Sequence, residues 1–135
     1  MITGEQVYLP AFNSGPSHLK LEGSEFHHLV RVRRFVVGNE IWVINGKGLA
    51  ARTIIESIAE TSLSLEVLET HPGRGELGHE LCLAVANLKG DHLNLIVEKA
   101  TELGVTEIIP LKTDRIVKKG LNRDRLERIA ISAMK

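Results

Sequence analysis

The chain has 135 residues, of which 43% are hydrophobic and 25% are charged, and its formal net charge is zero. This composition excludes a disordered chain, which would carry more charge and fewer apolar residues. The length allows one domain or two small ones. Aromatic residues make up only 4% of the chain, so stacking platforms for single-stranded nucleic acid are not evident. Any nucleic-acid contact would therefore depend on local basic patches.

The single cysteine and the first residues indicate the cellular location. Cys82 lies between two leucines, so one chain can form neither a disulfide framework nor a cysteine metal cluster, and we expect the thiol in the core. The first ten residues lack the basic and apolar regions of a signal peptide. No apolar stretch approaches the ~18 residues of a membrane span. We therefore expect a cytoplasmic protein.

The first half of the chain predicts a small β-rich unit. Residues 40–44 and 50–58 are rich in β-branched side chains and flank Asn45-Gly46-Lys47-Gly48, which favours a hairpin turn. Leu63, Leu65 and Val67 then alternate with polar residues, as they do in a half-buried strand.

One helix interrupts this β-rich unit. Ser24 can cap its N-terminus, and Phe26, Leu29 and Val30 share a face at three- and four-residue spacings. The helix also carries the densest basic cluster of this half: His27, His28, Arg31, Arg33 and Arg34. Guanidinium groups match phosphate oxygens, and histidine can donate to an RNA backbone. A solvated helix face is the competing interpretation. Adjacent histidines point ~100° apart on a helix, so we expect no zinc site.

A composition break at residues 70–78, with three glycines and a proline, marks a domain boundary. After it the pattern predicts a strand over residues 81–88, a helix over 91–103, a parallel strand over 107–111 reached by a right-handed crossover, and a helix from Asn122. Gly104 suits the left-handed position after a helix. Parallel sheets normally have more strands and two covered faces, and the last helix lacks a stop signal, so we expect part of a larger α/β domain. The apolar faces of the two helices are predicted to be Leu93, Ile96, Val97, Ala100 and Leu103, and Leu126, Ile129, Ala130 and Ala133.

The strongly positive stretch of the chain lies in this second half. It begins at the carboxyl end of the second parallel strand, where open parallel sheets place their ligand sites. Lys89 and Asp91 follow the first strand, so the two loops should be neighbours, although Asp91 alone is expected to cap a helix. No glycine-rich phosphate loop, nucleophile elbow or metal-ligand spacing is present. As with the first basic cluster, two interpretations of this stretch stay open: a binding site, or the solvated face of a helix. The bases are Lys112, Arg115, Lys118, Lys119, Arg123, Arg125 and Arg128, against the acids Asp114, Asp124 and Glu127.

Several motifs together resemble the RNA small-subunit methyltransferase E family. They are His27-His28-Leu29-Val30-Arg31-Val32-Arg33-Arg34, Val37-Gly38-Asn39-Glu40, Leu88-Lys89-Gly90-Asp91, Lys99-Ala100-Thr101-Glu102-Leu103-Gly104-Val105 and Ile108-Ile109-Pro110-Leu111. The resemblance implies a two-domain α+β and α/β fold: a PUA-like β-barrel over residues 1–70, a linker over 71–80, and the first βαβα part of a SPOUT trefoil-knot domain over 81–135. It also implies a homodimer that uses S-adenosylmethionine to methylate uridine N3 in 16S ribosomal RNA of the small subunit.

The same resemblance supplies the candidate RNA-binding residues. His27, His28, Arg31 and Arg34 match the barrel helix that faces RNA. Lys89, Lys99, Glu102 and Arg115 match the polar signature of the first half of the knot domain. The positive stretch of the sequence adds Lys118 and Lys119 to the candidates. The resemblance identifies no catalytic residue in this chain, and we expect no metal ligand.

The cofactor-holding segments of the family, a Gly-Pro-Glu-Gly-Gly loop and a Leu-Arg-x-Glu-Thr-Ala segment, do not occur in this sequence. A cofactor needs a preformed concave site. We therefore expect this chain alone to be a catalytically incomplete fragment that does not bind S-adenosylmethionine tightly. Two alternatives stay open: a stand-alone RNA-binding module without catalysis, and a structural domain that binds proteins through an exposed sheet edge.

Overall fold

The computed structural model describes residues 2–89, 91–114 and 120–135. The chain forms two compact units, Met1–Arg74 and Gly75–Lys135. The first contains strands β1 (Ile2–Tyr8), β2 (His18–Glu22), β3 (Glu40–Ile44), β4 (Leu49–Ile58) and β5 (Ser62–Pro72). A short helix α1 (Gly23–Phe26) runs directly into a π-helix (His27–Val32) between β2 and β3. Strand β5 therefore extends into the segment that was predicted to be a linker from residue 71.

The five strands form one mixed sheet in the order β1-β3-β4-β5-β2. Strands β1 and β3 are parallel, and the other neighbouring pairs are antiparallel. The predicted hairpin is confirmed as β3 and β4, with Gly46 and Gly48 at φ 70° and 80° in its turn. These left-handed angles cost glycine little, and a residue with a Cβ would be strained there.

One face of this sheet, together with the helical segment, forms the core of the first unit. Alternate residues of the strands point into it, which confirms the predicted alternation of β5, with Leu63 and Leu65 buried and Val67 partly buried. Thr53 is fully buried among apolar side chains because its hydroxyl donates to the Ile41 carbonyl at 3.0 Å. The apolar core residues are Val7, Phe12, Leu19, Leu21, Phe26, Leu29, Ile41, Val43, Ala51, Ile55, Leu63 and Leu65.

Asn45 joins the hairpin turn to the segment after β1. Its Oδ1 accepts from the backbone N–H groups of Lys47 at 2.8 Å and Leu49 at 3.1 Å, and its Nδ2 donates to the Phe12 carbonyl at 3.2 Å. The side chain is almost completely buried, so these partners cannot be replaced cheaply by water.

We predict that Asn45→Ala lowers the free energy of unfolding by about 2–3 kcal/mol, because the change leaves buried donors and an acceptor without partners. Fluorescence of Trp42, the single tryptophan, would follow unfolding in urea. Asn13→Ala is the matched control, since Asn13 Oδ1 accepts one exposed N–H, that of Gly15, at 3.0 Å. Equal losses in the two variants would contradict a special role for Asn45.

The outer surface of the same sheet carries a linked row of polar and aromatic side chains. Arg52 donates to Glu40 at 2.8 Å and to Glu69, and the second contact lowers the pKa of the Glu69 carboxyl. Arg74 lies 3.7 Å from the ring centroid of Trp42, and His71 contacts the same ring edge-on at 5.3 Å. Arg74 thus occupies one face of the single tryptophan, in a cation–π contact.

The second unit contains β6 (Cys82–Ala86), α2 (His92–Glu102), β7 (Glu107–Leu111) and α3 (Arg123–Met134). This order confirms the predicted strand, helix, strand, helix sequence, and β6 and β7 are parallel as predicted. Helix α2 packs against α3 and buries Leu93, Val97 and Ala100. Gly104 follows α2 at φ 84°, and a Cβ there would lie 2.9 Å from Leu77 Cγ. Both the backbone angle and the close approach therefore require glycine.

Several predictions from the sequence are wrong, and three of them concern Ser24, Cys82 and Leu103. Ser24 does not cap α1, because the helix begins at Gly23, the residue before it. Glu22 occupies the N-cap position, and its side chain makes no capping hydrogen bond. Cys82 is exposed rather than buried, because it begins a strand of a two-stranded sheet. Partial desolvation and the Glu107 carboxylate raise the pKa of its thiol. Leu103 is 72% exposed because α2 ends at Glu102 and Leu103 follows as the C-cap, outside the buried stripe.

In the described parts of the chain, no helix has both the length and the apolar character that a membrane crossing requires.

Candidate functional site

The basic segment, residues 27–34, is held on the core of the first unit by its apolar side chains. Phe26 and Leu29 are buried in the core, and Val30 and Phe35 pack against it. The segment is a π-helix from His27 to Val32 rather than the regular α-helix that its spacing predicts. π-Helices are rare and frequently occur at functional sites. Because the apolar side of the segment is buried against the core, its basic side chains lie on the opposite, outward side.

The four candidate residues of this segment are not equivalent. His27, Arg31 and Arg34 are exposed, whereas His28 is partly buried. Arg31 and Arg34 have no ion-pair partner among the described residues. Both guanidinium groups are therefore available to a phosphate.

Glu5 on β1 engages the other two basic side chains of the segment. Its carboxylate accepts from His28 Nε2 at 3.1 Å and from Arg33 Nη2. The Glu5 side chain is only 15% exposed, so it holds both groups against the sheet. Sequence reasoning missed Glu5, because it lies 23 residues before His28 and β1 was not predicted as a strand. A partly buried carboxylate of this kind competes with an RNA phosphate for the same donors.

Arg34 has an unusual backbone conformation for a residue with a side chain. Its φ angle is 57°, the only positive value among the non-glycine residues that the structure describes. It follows the C-cap of the π-helix, where glycine is the common residue. The left-handed conformation costs a residue with a Cβ about 1–2 kcal/mol. Such strain, retained where glycine would relieve it, is characteristic of residues whose side chain has a function.

We predict that Arg34→Gly raises the free energy of unfolding by about 0.5 kcal/mol, because relief of the left-handed strain outweighs the extra flexibility of glycine in the unfolded chain. Urea unfolding would measure the change. Arg31→Gly is the control: Arg31 is helical, so glycine there should lower stability by about 0.5–1 kcal/mol. A loss of stability in both variants would show that Arg34 is not strained.

The candidate residues of the second unit divide into exposed and paired ones. Lys89 is exposed at the carboxyl end of β6. Lys99 lies between two carboxylates, with Nζ 2.7 Å from Glu98 and 2.9 Å from Glu102. The Glu98 hydrogen bond and then that of Glu102 raise the pKa of Lys99, so the ammonium is stabilised within its own helix. Arg115, Lys118 and Lys119 lie outside the described residues.

The carboxyl ends of the two parallel strands are neighbours, as the sequence predicts. The backbone N–H of Asn87, just after β6, donates to the Leu111 carbonyl at 3.2 Å, and its side-chain Nδ2 donates to the Gly120 carbonyl at 3.1 Å. An open cleft of 740 Å³ lies beside them. It is lined by Asn87, Leu93, Asn94, Gly120, Leu121, Asn122, Arg123, Asp124, Arg125 and Leu126.

Asp91 occupies the N-cap position of α2 but its side chain does not cap the helix. Instead, Oδ1 accepts from Asn94 Nδ2 at 2.8 Å and from Arg125 Nη2 at 3.2 Å. Asn122 is the residue that caps a helix here, because its Oδ1 accepts the Arg125 N–H at 3.0 Å. The Asp91–Arg125 contact joins α2 to α3 beside the cleft. No group of three or more histidine, cysteine or acidic side chains within the described ranges could hold a metal ion.

Family models match both units of the chain. A model described as an RNA methyltransferase PUA domain matches residues 21–68, and one described as an RNA methyltransferase domain matches residues 76–135. A ribosomal RNA small subunit methyltransferase E from Bacillus subtilis is 33% identical over 99 residues, which are 73% of this chain and 39% of that protein. The chain belongs to the ribosomal RNA small subunit methyltransferase E family. The motif resemblance is thereby confirmed.

Solved structures support the same assignment. A probable rRNA methyltransferase from Porphyromonas gingivalis superimposes with a TM-score of 0.83 and 26% identity, over 97% of this chain and 54% of that one. A ribosomal RNA small subunit methyltransferase E from Neisseria gonorrhoeae, bound to S-adenosyl methionine, superimposes with a TM-score of 0.81 and 25% identity. The match covers 97% of this chain and 55% of that one. This family member therefore spans about half the length of these solved chains, and 39% of the Bacillus relative. Residues 27–34 lie inside the part matched by the PUA model.

Proposed function

We propose that this chain is part of an enzyme that methylates uridine N3 in 16S ribosomal RNA with S-adenosylmethionine, and that its first unit holds the RNA. The observation that carries the RNA-binding part is an exposed pair of arginines within the part matched by the PUA model: Arg31 on the π-helix, and Arg34 directly after its C-cap. Two planar guanidinium groups three residues apart suit successive phosphates of one strand.

The intramolecular contacts divide the seven candidate RNA-binding residues that the structure describes into two groups. Arg31, Arg34, His27 and Lys89 are exposed and available to RNA. His28, Lys99 and Glu102 are held in contacts within the chain, and RNA would have to compete for them. We assign the first group to phosphate binding. We assign the second group to holding the local structure of the RNA-binding surface through its contacts within the chain. Arg115 belongs to the proposal through the family motif, and Lys118 and Lys119 belong to it through their positive charge.

In the proposed reaction uridine N3 attacks the methyl group that the cofactor supplies, and loses its proton. Alignment of donor and acceptor and removal of that proton would lower the barrier. We assign no residue of this chain to the cofactor or to the base, because the two segments that hold the cofactor in the family are absent from this sequence. The contribution proposed for the residues present is to bind and orient the RNA. The homodimer that the family resemblance implies and the cytoplasmic location that the first residues led us to expect are part of the same proposal.

We predict that the 135-residue chain shows no saturable binding of S-adenosylmethionine by calorimetric titration, because a cofactor requires a preformed concave site. Intact mass would first establish that the sample has the expected 14.9 kDa. The Neisseria gonorrhoeae relative, whose solved structure has the cofactor bound, is the positive control. Saturable, stoichiometric binding to the 135-residue chain would show that its residues do form a cofactor site.

We predict that the double change Arg31→Ala and Arg34→Ala weakens RNA binding at low salt and reduces the slope of log affinity against log salt by about 1–2, because fewer counterions are released. Lys47→Ala is the matched control: Lys47 is an exposed cation in the β3–β4 turn, at the opposite end of β3 from the basic segment. Equal affinities and slopes in wild type and double variant would remove the π-helix from the RNA surface.

A stand-alone RNA-binding module is the second candidate function. It is favoured by the fact that the described candidate residues need no cofactor to contact phosphate. Methyl transfer to RNA by the longer protein, measured with labelled cofactor, would decide for the enzyme, and RNA binding without transfer would decide for the module.

A further inference from the structure

An exposed apolar group lies next to the two available arginines. Among the described side chains of the first unit, four large apolar residues are exposed, and three of them fall within six residues: Val32 at 59%, Val36 at 59% and Val37 at 58%. We call these three the valine group. Single exposed apolar residues are ordinary, but three of them within six residues, next in the chain to two exposed arginines, indicate a contact surface.

The backbone that presents the valine group is fixed on both sides. Phe35 N–H donates to the Leu29 carbonyl at 3.0 Å, and Phe35 packs against the core. Val36 N–H donates to Asn39 Oδ1 at 2.9 Å. Gly38 N–H donates to the Ile55 carbonyl at 2.8 Å, which ties the loop to β4. A rigid apolar surface loses little conformational entropy when it binds a partner, and this favours a docking role.

We propose that the valine group packs against unpaired bases of the RNA whose phosphates Arg31 and Arg34 hold, so that this unit selects RNA with exposed bases over regular duplex. The inference rests on the proposed RNA-binding function and specifies the kind of RNA. Charge complementarity argues for RNA as the occupant, because the exposed Arg31 directly precedes Val32 and the exposed Arg34 follows it by two residues.

The chemistry of RNA decides between duplex and unpaired bases. A regular A-form duplex buries its base faces by stacking and presents phosphates and 2′-hydroxyls, which are polar. Valine methyl groups against that surface would desolvate hydroxyls without replacing their hydrogen bonds. The face of an unpaired base carries no hydrogen-bonding groups, so aliphatic side chains can pack against it as well as aromatic rings.

The scarcity of aromatic residues strengthens this assignment. Proteins usually contact unpaired bases with aromatic rings, but the chain has only five, and Arg74 already covers one face of its single tryptophan, Trp42. Phe12 and Phe26 are buried, Phe35 is half-buried against the core, and Tyr8 is half-buried at the end of β1. The valine group is therefore the exposed apolar surface nearest in the chain to the phosphate-binding arginines.

The test is a triple variant, Val32→Thr, Val36→Thr and Val37→Thr, which preserves the branched shape of each side chain at exposed positions where a hydroxyl can be hydrated. Fluorescence anisotropy would measure its affinity for three RNAs of equal phosphate count: a stem-loop, the same stem-loop with abasic loop positions, and a fully paired duplex. Circular dichroism and urea unfolding would verify that the variant is folded.

We expect the triple variant to bind the stem-loop about tenfold more weakly than wild type, by loss of apolar burial, with unchanged duplex affinity and unchanged salt slope. Wild type should lose the same factor on the abasic stem-loop, and the variant should lose nothing further. Unchanged stem-loop affinity in a folded variant would overturn the proposal, as would an equal loss for stem-loop and duplex.

Two outcomes separate this inference from the proposed function. RNA binding that depends on Arg31 and Arg34 but is insensitive to the valines would leave the RNA surface intact and overturn only the base contact. No RNA binding by wild type at all would overturn both.

A further outcome concerns a different occupant of the valine group. Concentration-dependent self-association that the triple variant abolishes, with unchanged RNA selectivity, would assign the valine group to a second copy of the chain and overturn the base contact.

Discussion

Burial of Phe26 and Leu29 in the core of the first unit determines what the basic segment can do. With these two side chains fixed, the π-helix has one possible rotation on the sheet, and Arg31 must face solvent. A phosphate contact made by a flexible arginine loses part of its free energy to ordering of the side chain and backbone. Here the backbone is already ordered by packing, and only the side chains remain to be fixed.

Glu5 imposes a second constraint on the same segment. By accepting from both His28 and Arg33, it removes two of the basic groups from the pool that could attract any polyanion. These ion pairs are intramolecular, and the Glu5 carboxylate is mostly shielded from solvent. Salt therefore screens them less than it would screen an exposed ion pair. What remains is a small number of exposed cations in fixed positions. Such an arrangement favours recognition of phosphate spacing over general attraction to nucleic acid.

Local patterns in the sequence predicted those elements that depend on neighbouring residues. The turn between β3 and β4 follows from Asn45-Gly46, the alternation of β5 from Leu63 and Leu65, and the end of α2 from Gly104. Glu5 could not be found in this way, because its partners lie 23 and 28 residues further along the chain.

The errors have the same physical origin. Cys82 looked like a core residue because its neighbours are apolar, but burial requires other strands or helices to cover the strand, and sequence pattern does not show whether they do. The π-helix was predicted as a regular helix because apolar spacings of three and four fit both; its extra residue per turn becomes visible only through hydrogen bonds such as that from Arg33 N–H to the His28 carbonyl. The family motifs supplied the candidate residues, and the contacts in the structure divide them into available and paired groups.

A chain with 17 basic and 17 acidic residues has no net charge with which to gather RNA from a distance. At physiological ionic strength the field of an exposed arginine falls away over about 8 Å, so under the proposed function Arg31 and Arg34 would act only on phosphates that have already come close. Electrostatics alone would then hold many RNAs equally and weakly, because phosphate contacts carry no sequence information. Discrimination must come from contacts beside the phosphates, and the exposed residues that the fold fixes there are valines. Apolar contact loses little strength as salt rises, whereas the phosphate contacts weaken. The difference between favoured and disfavoured RNAs should therefore persist at salt concentrations where overall affinity has fallen.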